Sequence, residues 1–494
     1  MQETTFPLHP AQQDIYTDQL INVQSPLYNI GGYVILKGAV NIEKLHEAVL
    51  SGSRVFDAFT LRFDVNQPEP VGYIDQHFSG LDITEKDFTG MDDPRQHAHA
   101  WMQERFNTAF VLSKNAVLCE YYLLKVDENE HWLFFKFHHL LSDGFGFVVW
   151  WNYVAAKYRS LLAGEELVVS YPSYIEEAVR ASAYRHSPAY EAHAAYWKNK
   201  ISAKPQKLLQ RKYVQHTTDS KKSSLYVYNF TQEQQTMLEM LKRTTGVGMQ
   251  HIFTAALVIY FGKITGNQEL VFGVHLHKRA SRKLRNIVGM FTGILPHKSE
   301  YRQGATVVET LKEIAASQKQ DYYHKDYLAG DLTRHLKINA SEGYLCDINI
   351  NYELFDFQLD FGEGVQSTLL QLANEYERVP LQFVIQEFGN GQPLQLQLHY
   401  WNEYFNQQEI EWFAKRIVHI IEQFPVALDG AIGDVSILPS PEQQLIEGFN
   451  NVSVAYPADK SIVDLFEECA AATPEAVALV FVQGTPYGEE EQLS

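Results

Sequence analysis

The sequence predicts an α/β or α+β protein with more than one lobe, and three observations lead to this fold class. Segments with the apolar spacing of amphipathic helices alternate along the chain with short runs that are rich in β-branched and aromatic residues. The chain has 494 residues, and one average core does not accommodate that length, since domains commonly contain about 100–200 residues. Hydrophobic residues make up 45% of the composition, which is enough to fill large cores.

The first half of the chain is predicted to place two adjacent histidines at a turn between a strand and a helix. A strand at 28–38 precedes a helix at 41–55, whose apolar side chains form one stripe. Two further strands within 118–141 are joined by the polar turn Asp127–Glu130, and the second of them leads into "HHLLSDG". A long apolar helix follows and ends at Gly164, because a glycine commonly supplies the left-handed residue after a helix.

The second half of the chain is predicted to form another α/β region. In order, it contains two helices, a strand, a further apolar run, a strand, a hairpin and a helix, at 231–246, 249–266, 269–277, 286–299, 346–355, 380–401 and near 407–423. A polar stretch at 202–224 is predicted to connect rather than to form core. The predicted domains are an N-terminal lobe, a C-terminal lobe, a linker and a segment too short for its own core, at 1–175, 176–432, 433–451 and 452–494.

Charge, cysteine content and hydropathy exclude several classes of function. The formal net charge of −19 repels nucleic acid, in spite of a basic run at 277–285. Three widely spaced cysteines without a CxxC pair predict neither a disulfide framework nor a zinc cluster. The sequence lacks a signal-peptide pattern and any run of about 18 apolar residues. These features predict a cytoplasmic protein that binds neither nucleic acid nor membranes.

The segment "HWLFFKFHHLLSDGFGFVVW" (131–150) places His138, His139 and Asp143 among apolar residues. Burial of such groups without partners is costly, so either the fold provides partners for them or a functional site uses them. Adjacent side chains on a strand point to opposite faces, so one histidine is predicted to support the site while the other faces a cleft. Asp143 is also suited to cap the helix that follows. The alternative for the histidines is ordinary hydrogen bonding in the core.

Other kinds of active site are not predicted by the sequence. The spacing HHxxxD differs from helix-borne zinc signatures such as HExxH, so no metal site is expected. A GxSxG nucleophile motif is absent, and the cysteines lack the context of a nucleophile.

Four segments resemble motifs of the condensation domains of nonribosomal peptide synthetases. "HHLLSDG" (138–144) matches their HHxxxDG signature, and "FPLHPAQQDIY" (6–16) is similar to their opening S-x-AQxR/Q-x-x segment. "VFDAFTLRF" (55–63) resembles RHExLRTxF, and "NIVGMFTGILP" (286–296) resembles IGxFVNTLPLR. The four motifs occur in the family's order, so the chain is identified as a member of this family.

Two of these motifs depart from the family pattern. Val55-Phe56-Asp57 stand where the family has Arg-His-Glu, and Thr292-Gly293 stand where it has Asn-Thr. The departures are compatible with the family's chemistry and bear on the subtype of the domain.

The resemblance implies two chloramphenicol-acetyltransferase-like lobes that form a V-shaped pseudodimer with a tunnel between them. A donor acyl thioester enters this tunnel from one side and an amine-bearing aminoacyl thioester enters from the other. Each is carried on the phosphopantetheine arm of a carrier protein, so the expected partners are a donor and an acceptor carrier protein. No tightly bound cofactor is expected, and an acyl-CoA is an alternative donor.

The resemblance also implies roles for individual residues. His139 positions the amine and accepts its proton late, and His138 supports the site from inside. Asp143 and Gly144 shape the turn, and Asp143 forms an ion pair with Arg279 of the second lobe. The alternative for Arg279 is a solvated basic residue, because the surrounding run is highly charged.

Two further assignments have alternatives of their own. Gly144 is expected to permit close backbone approach near the thioester, and an ordinary turn glycine is equally consistent with the sequence. Asn351 in "ININYE" matches a polar position near the family's active site and is expected to touch the intermediate. Its alternative is a turn residue at a strand end, which asparagine commonly provides.

The ends of the sequence give expectations about neighbouring domains and substrate. The segment 449–481 resembles the entry to an adenylation domain, so a downstream adenylation domain is expected in the same polypeptide. Met1 stands only a few residues before the first motif, which favours a starter domain with a fatty-acyl donor. The alternative is an elongation domain that takes a peptidyl donor from an upstream polypeptide.

Three related readings are less favoured by the motif. An epimerisation domain prefers HHxxxDxxSW, and Gly146-Phe147 stand here in place of Ser-Trp. A heterocyclisation domain has a DxxxxD pattern instead of the histidines. A noncatalytic recruitment module of the same fold would be favoured by a degraded motif, and this motif is intact.

Overall fold

The structure of the chain is a computed structural model, and it consists of two compact units, Met1–Ile437 and Leu438–Ser494. It describes residues 5–64, 70–213, 221–327, 329–338, 344–355, 359–389, 392–452, 457–477, 479–482 and 490–493.

Helices and strands alternate along the first unit. Its helices are α1 (Pro10–Ile21), α2 (Ile42–Val55), α3 (Pro94–Phe106), α4 (Gly144–Ala163), α5 (Tyr174–Tyr184), α6 (Pro188–Lys200), α7 (Gln232–Thr245), α8 (Met249–Thr265), α9 (Arg282–Arg285), α10 (Val307–Tyr323), α11 (Ala329–His335) and α12 (Gln407–Gln423). Its strands are β1 (Thr5–Pro7), β2 (Asn29–Gly38), β3 (Leu61–Asp64), β4 (Val71–Ile74), β5 (Thr84–Asp87), β6 (Cys119–Asp127), β7 (Glu130–His138), β8 (Ser223–Asn229), β9 (Glu269–Leu276), β10 (Gly293–Glu300), β11 (Ile348–Phe355), β12 (Val365–Gln371), β13 (Leu381–Phe388) and β14 (Gln395–Trp401).

A five-stranded sheet in the first lobe carries the histidine motif. Its strand order is β12-β2-β7-β6-β5, so β7 lies in the centre. β6 and β7 form an antiparallel hairpin with Asp127 opposite Glu130, which confirms the predicted hairpin. The helix after the motif is confirmed as α4, and Gly164 ends it in the left-handed conformation. Trp150 and Trp151 of α4 are fully buried, so this helix packs into the core of the lobe.

A six-stranded sheet, with the order β10-β9-β11-β13-β14-β8, forms the second lobe. Leu381, Phe383 and Ile385 alternate along β13 and are fully buried in the hydrophobic core. Successive side chains of a strand point to opposite faces, so Gln382 and Gln386 lie on the other face of the sheet. The helices, strands and hairpin predicted for this half are confirmed. The sheet face that carries Gln382 and Gln386 lies outside the hydrophobic core.

Several elements of the first unit go beyond the sequence prediction. β8 begins inside the stretch 202–224 that was predicted only to connect, and two further features bear on the lobes. β12 lies late in the sequence, but it pairs with β2 of the first lobe, with Val365 opposite Gly38. Helices α5 and α6 follow the first lobe, and the lobe boundary predicted at 175/176 falls inside α5. The second half of the sequence therefore supplies an edge strand to the first lobe.

The second unit contains helices α13 (Ser440–Asn450) and α14 (Ile462–Ala472) and strands β15 (Leu479–Val482) and β16 (Glu490–Leu493). The boundary between the two units falls inside the predicted linker, 433–451, and helix α13 also lies within that segment. That 452–494 begin an adenylation domain stays a prediction, and part of this segment lies outside the described residues, at 453–456, 478, 483–489 and 494.

No single helix of the described residues is both long and apolar enough to cross a membrane. Helices α7 and α8 reach that length and hydropathy only as a pair, and the pair is bent by 96°.

Candidate active site

The turn between β7 and α4 holds the histidine motif. β7 ends at His138, and α4 begins at Gly144. Asp143 caps this helix, since its Oδ1 accepts a hydrogen bond from the backbone amide of Gly146 at 2.8 Å. Two elements of regular structure therefore fix both ends of the turn that contains His139.

His138 is held inside the first lobe through both ring nitrogens. Its Nδ1 accepts a hydrogen bond from the backbone amide of Leu140 at 3.1 Å, so the ring hydrogen is on Nε2. Nε2 then donates to Oε1 of Gln19 at 3.1 Å. The residue is 1% exposed, and burial lowers its pKa to about 3. His138 is thus a neutral imidazole with no free nitrogen, which fits a supporting role.

His139 is half-buried and has one ring nitrogen free. Its Nδ1 lies 2.9 Å from the carbonyl oxygen of Ser142 and must donate, because a carbonyl only accepts. Nε2 therefore keeps its lone pair, and it makes no hydrogen bond within the part of the chain that the structure describes. Burial lowers the pKa of His139, and the Asp143 carboxylate opposes this shift. The ring is neutral near pH 7 and presents an unoccupied base.

Asp143 is fully buried and accepts five hydrogen bonds. Oδ1 accepts from the Gly146 amide and from Nη2 of Arg279, both at 2.8 Å. Oδ2 accepts from the Phe291 amide at 3.0 Å and from the amide and hydroxyl of Thr292, each at 3.2 Å. Burial raises the pKa of the carboxyl group, but Arg279 and these hydrogen bonds outweigh burial and hold the pKa below its ordinary value. The carboxylate is ionised and fully occupied, so its role is structural.

Arg279 is fully buried, so its alternative reading as a solvated surface residue is wrong. Besides Asp143, its guanidinium donates to three backbone carbonyls, those of Leu284, Ile287 and Gly289, at 2.7, 2.7 and 2.9 Å. The ring of Phe291 lies 4.3 Å from its Cζ. Asp143 belongs to the first lobe and Arg279 to the second, so the predicted ion pair joins the lobes beside the motif.

Neither backbone conformation nor a close contact within the described residues requires a glycine at position 144. Gly144 is exposed, its backbone is not left-handed, and a Cβ built on it meets no atom of the described residues within 4 Å. An ordinary turn glycine would need a left-handed φ or a close neighbour. The open space beside Gly144 is therefore available to another molecule.

Asn351 lies in the middle of β11, so its alternative reading as a turn residue at a strand end is wrong. Its Nδ2 donates to Oε1 of Glu353 at 2.6 Å. Burial raises the pKa of the Glu353 carboxyl group. Within the described residues, no hydrogen bond joins Asn351 to the histidine motif, so its contact with an intermediate stays a prediction.

Comparison with known protein families decides the class of this site. A family model described as "Condensation domain" matches residues 2–447. The chain belongs to the condensation domain family. The resemblance predicted from four short motifs is thereby confirmed over most of the chain. Condensation domains of nonribosomal peptide synthetases are acyltransferases that form amide bonds.

Curated relatives of this condensation domain are much longer synthetases. Dimodular nonribosomal peptide synthase from Bacillus subtilis (strain 168) is 23% identical over 478 residues, which are 96% of this chain and 20% of the relative. Gramicidin S synthase 2 from Brevibacillus brevis is 23% identical over 480 residues, or 96% of this chain and 10% of the relative. The chain therefore spans a fifth or less of these proteins.

Solved condensation domains share the fold. The first condensation domain of the calcium-dependent antibiotic synthetase, in complex with substrate analogue 3a, has a TM-score of 0.74 at 17% identity and covers 88% of this chain and 99% of its own. The starter condensation domain of rhizomide synthetase has a TM-score of 0.74 at 21% identity and covers 88% and 100%. These matches confirm the predicted α/β class with two chloramphenicol-acetyltransferase-like lobes.

One residue in each of the two segments that depart from the family motifs makes structural hydrogen bonds. Asp57 accepts hydrogen bonds from the hydroxyl of Ser173 at 2.5 Å and from the amides of Tyr174 and Ile175 at 3.1 and 3.3 Å. It therefore holds the N-terminus of α5 where the chain leaves the first lobe. Thr292 donates twice to Asp143. Both departures keep polar contacts at structural positions.

Sequence reasoning did not single out three residues that hold the condensation motif. The side chain of Gln12 donates to the carbonyl of Leu140 at 2.7 Å, and the side chain of Gln19 accepts from His138. The carbonyl of Tyr28 accepts from the amide of His139 at 2.8 Å. The "AQQ" of the opening motif contains Gln12 and was the available signal, whereas the Tyr28 contact uses the backbone and leaves no trace in residue type.

Proposed function

We propose that this condensation domain joins a donor acyl thioester to the amine of an acceptor aminoacyl thioester, and that Nε2 of His139 receives the proton of the amine. One observation carries the proposal. The hydrogen bond from Nδ1 to Ser142 fixes the tautomer of His139 and leaves Nε2 as a neutral, unoccupied base on a half-buried ring. Such a base suits an amine that must lose a proton as it attacks.

In the proposed reaction the amine nitrogen attacks the carbonyl carbon of the thioester. A C–N bond forms and the carbonyl oxygen becomes an oxyanion, while the amine proton passes to Nε2 of His139. Collapse of the tetrahedral intermediate breaks the C–S bond, and the imidazolium returns the proton to the departing sulfur. The products are one amide and one free thiol.

Positioning of the substrates is expected to contribute more than proton transfer. An α-amine has a pKa of about 8, so a useful fraction of it is already neutral at physiological pH. General-base assistance contributes about 10²–10⁴-fold in rate. Orientation of two reactants in one site can contribute about 7–11 kcal/mol. His139 is therefore assigned the roles of positioning the amine and accepting its proton late.

The other site residues are assigned to hold His139 and to leave room for the thioester. His138 fills the inner side of the strand end, and the ion pair of Asp143 with Arg279 fixes the turn across the two lobes. Gly144 leaves open space at the start of α4. Asn351 is proposed to contact the intermediate.

The substrates are proposed to arrive on the phosphopantetheine arms of a donor and an acceptor carrier protein. The multidomain peptide synthases among the relatives support this assignment. An adenylation domain is proposed to follow in the same polypeptide, because 449–481 resemble its first residues. No tightly bound cofactor is proposed.

For the donor we propose a fatty-acyl thioester, as in a starter domain. Support comes from a variant of the starter condensation domain of rhizomide synthetase in complex with C8-CoA, which has a TM-score of 0.77 at 20% identity. The alternative is an elongation domain with a peptidyl donor. The two readings differ in the donor alone, so a competition between donors separates them.

The test supplies one aminoacyl carrier protein as acceptor and offers acyl-CoA, acyl-carrier protein and aminoacyl-carrier protein as competing donors. Amide products are identified by mass spectrometry after release from the carrier. We expect the acyl donors to be consumed, and His139→Ala to lower the rate by about 10²–10⁴-fold. His186→Ala, which removes an exposed histidine, is the matched control.

Each other outcome selects a different reading. Consumption of the aminoacyl donor alone replaces the starter assignment with elongation. A wild-type rate in His139→Ala contradicts the proton-transfer role. A folded domain that forms no amide from any donor would favour the noncatalytic recruitment module.

A further inference from the structure

Lys278 has a backbone conformation that residues with a side chain rarely adopt. Its φ is +50°, in the left-handed region that favours glycine. It follows β9 and directly precedes Arg279, whose guanidinium holds Asp143. Strained backbone conformations of this kind concentrate at functional sites.

The side chain of Lys278 uses space that Gly293 leaves open. It folds over Gly293, the first residue of β10, where a Cβ atom would lie 2.7 Å from Cε and 2.9 Å from Nζ of the lysine. The observed position of the Lys278 side chain therefore requires a glycine at position 293.

The ammonium group of Lys278 has no direct partner in the described part of the chain. No acceptor there lies within hydrogen-bond distance of Nζ, and no carboxylate lies within 4.0 Å, although the side chain is half-buried. Burial lowers the pKa of Lys278, and the carboxylates of Asp326 and Asp14 oppose this shift from beyond ion-pair distance. A half-buried ammonium group without a direct partner is available to an anion from another molecule.

We propose that Lys278 binds an anionic group carried by one of the two thioester substrates, an inference that rests on the proposed condensation function. Three observations support the proposal: Lys278 has a left-handed φ, Gly293 leaves space for its side chain, and its ammonium group has no direct partner in the described residues. The anion has two sources, a carboxylate on the acyl or aminoacyl group and the phosphate of the phosphopantetheine arm.

Adjacency to Arg279 and contact with Gly293 are the observations that favour the carboxylate. The lysine is covalently next to Arg279 and lies over the segment that begins at Thr292, and both of those residues bind Asp143 of the catalytic motif. The reacting carbonyl and amine must come to His139 in the same turn. The phosphate lies at the far end of the arm from the thiol, whereas a side-chain carboxylate lies near the reacting carbon.

The experiment compares acidic substrates with their neutral isosteres. Aspartyl and asparaginyl thioesters serve as acceptors, and succinyl and succinamoyl thioesters serve as donors. Each is prepared on N-acetylcysteamine, which has no phosphate, and on a phosphopantetheine carrier. The variants are Lys278→Met and, as matched control, Lys337→Met, because Lys337 is an exposed lysine with a similar φ of +55°.

If the anion is a carboxylate, the wild-type chain prefers the acidic member of at least one pair on both carriers. Lys278→Met should then lower that preference at least tenfold, and Lys337→Met should retain it. If the anion is the phosphate, Lys278→Met should raise the KM for the phosphopantetheine thioesters alone. Equal behaviour of wild type and Lys278→Met toward every substrate overturns the proposal.

Two further variants separate binding from folding. Lys278→Gly relieves the left-handed strain, so it should unfold at the wild-type temperature or higher while losing the anion preference. Gly293→Ala should displace the ammonium group and weaken the preference without removing the lysine. Retention of the full preference in Lys278→Gly would contradict the assignment.

Calorimetry with unreactive thioether analogues gives the same comparison without turnover. If neutral substrates are not joined but the acidic analogues still bind through Lys278, the condensation function fails and the anion site stands. If neutral substrates are joined and no anion effect is measured, only the anion site fails.

Discussion

At the scale of single residues, hydrogen bonds give two adjacent histidines different chemistry. His138 uses both ring nitrogens inside the lobe, and His139 uses one and leaves the other free. The alternation of side chains along a strand predicts that they face opposite ways. The sequence does not predict their tautomers, because Gln19 and Ser142 reach them only after the chain has folded.

Hydrogen bonds alone do not make a nucleophile, as a second cluster in this chain shows. The hydroxyl of Ser299 lies 2.9 Å from Nε2 of His297, and Nδ1 of His297 lies 2.9 Å from Oδ2 of Asp321. This is the connectivity of a hydrolase triad. All three residues are buried, and Asp321 also accepts from Tyr196 and Lys200. No substrate reaches such a serine, so the cluster ties β10, α10 and α6 together.

His138→Ala is predicted to reduce stability more than catalysis. The change leaves Gln19 and the Leu140 amide without their partner and opens a cavity, which together cost about 2–4 kcal/mol. Urea unfolding measures the loss, and the rate of amide formation is measured on the folded fraction. A fully stable but inactive variant would contradict this division between the two histidines.

Gly144→Ala is predicted to preserve folding and to slow amide formation. A Cβ at this position meets no atom of the described residues within 4 Å, and alanine favours a helix over glycine by about 0.5–1 kcal/mol. The added methyl group projects into the space assigned to the thioester, and Gly144→Leu should slow the reaction further. Steady-state rates and melting temperatures are compared. Wild-type rates in both variants would return Gly144 to an ordinary helix-start residue.

At the scale of elements, the sequence pattern predicted the helices and strands that depend on interactions between residues close together in the chain. The hairpin of β6 and β7 and the helix α4 follow from alternation, a polar turn and a closing glycine. The pairing of β12 with β2 joins segments more than 300 residues apart in the sequence, and no local pattern encodes it. The burial of Arg279 was also not predicted by the local pattern, because its surrounding run is typical of a solvated surface. Its charged partner, Asp143, lies 136 residues away in the sequence.

Asp143→Asn is predicted to destabilise the turn between β7 and α4. The amide nitrogen of asparagine would face donors, either Arg279 and Gly146 or Phe291 and Thr292, and the buried guanidinium would lose its countercharge. Removal of one partner of a buried ion pair costs about 3–5 kcal/mol. Unfolding in urea measures this loss.

A second variant tests whether the cost comes from the uncompensated charge. Asp143→Asn combined with Arg279→Met removes that charge and should recover part of the stability. If the single variant is as stable as wild type yet catalytically dead, Asp143 takes part in the chemistry directly.

At the scale of the whole first unit, two kinds of connection hold the lobes together beside the candidate site. One is the buried ion pair of Asp143 with Arg279, and the other is the edge strand β12, which reaches from the second half of the sequence to β2. Asp18 adds a second polar side-chain contact, since it accepts from Tyr28 at 2.5 Å and from Tyr344 at 3.1 Å. The geometry around His139 therefore depends on both lobes.

The first unit is predicted to lose stability below about pH 6.5, which lies well above the usual pKa range of carboxyl groups. Burial lowers the pKa of four histidines, to about 3 for His9 and His138 and to about 4 for His275 and His399. Below the ordinary value of 6.5 the unfolded chain binds protons that the folded chain does not bind. Their contribution to stability is therefore fully present above pH 6.5 and is lost as the pH falls.

Glu377 acts in the opposite direction, because burial raises its pKa to about 8 and its contribution is lost as the pH rises. Burial also raises the pKa of Asp14 and Glu353. The four histidines outnumber these three carboxyl groups, so the free energy of unfolding should fall as the pH is lowered from 6.5 to 5.5. Urea unfolding at pH 7.5, 6.5 and 5.5 measures the slope, and His275→Gln, which removes one of the four groups, should reduce it. A stability that does not change between pH 7.5 and 5.5 would show that these histidines are protonated without cost in the folded chain.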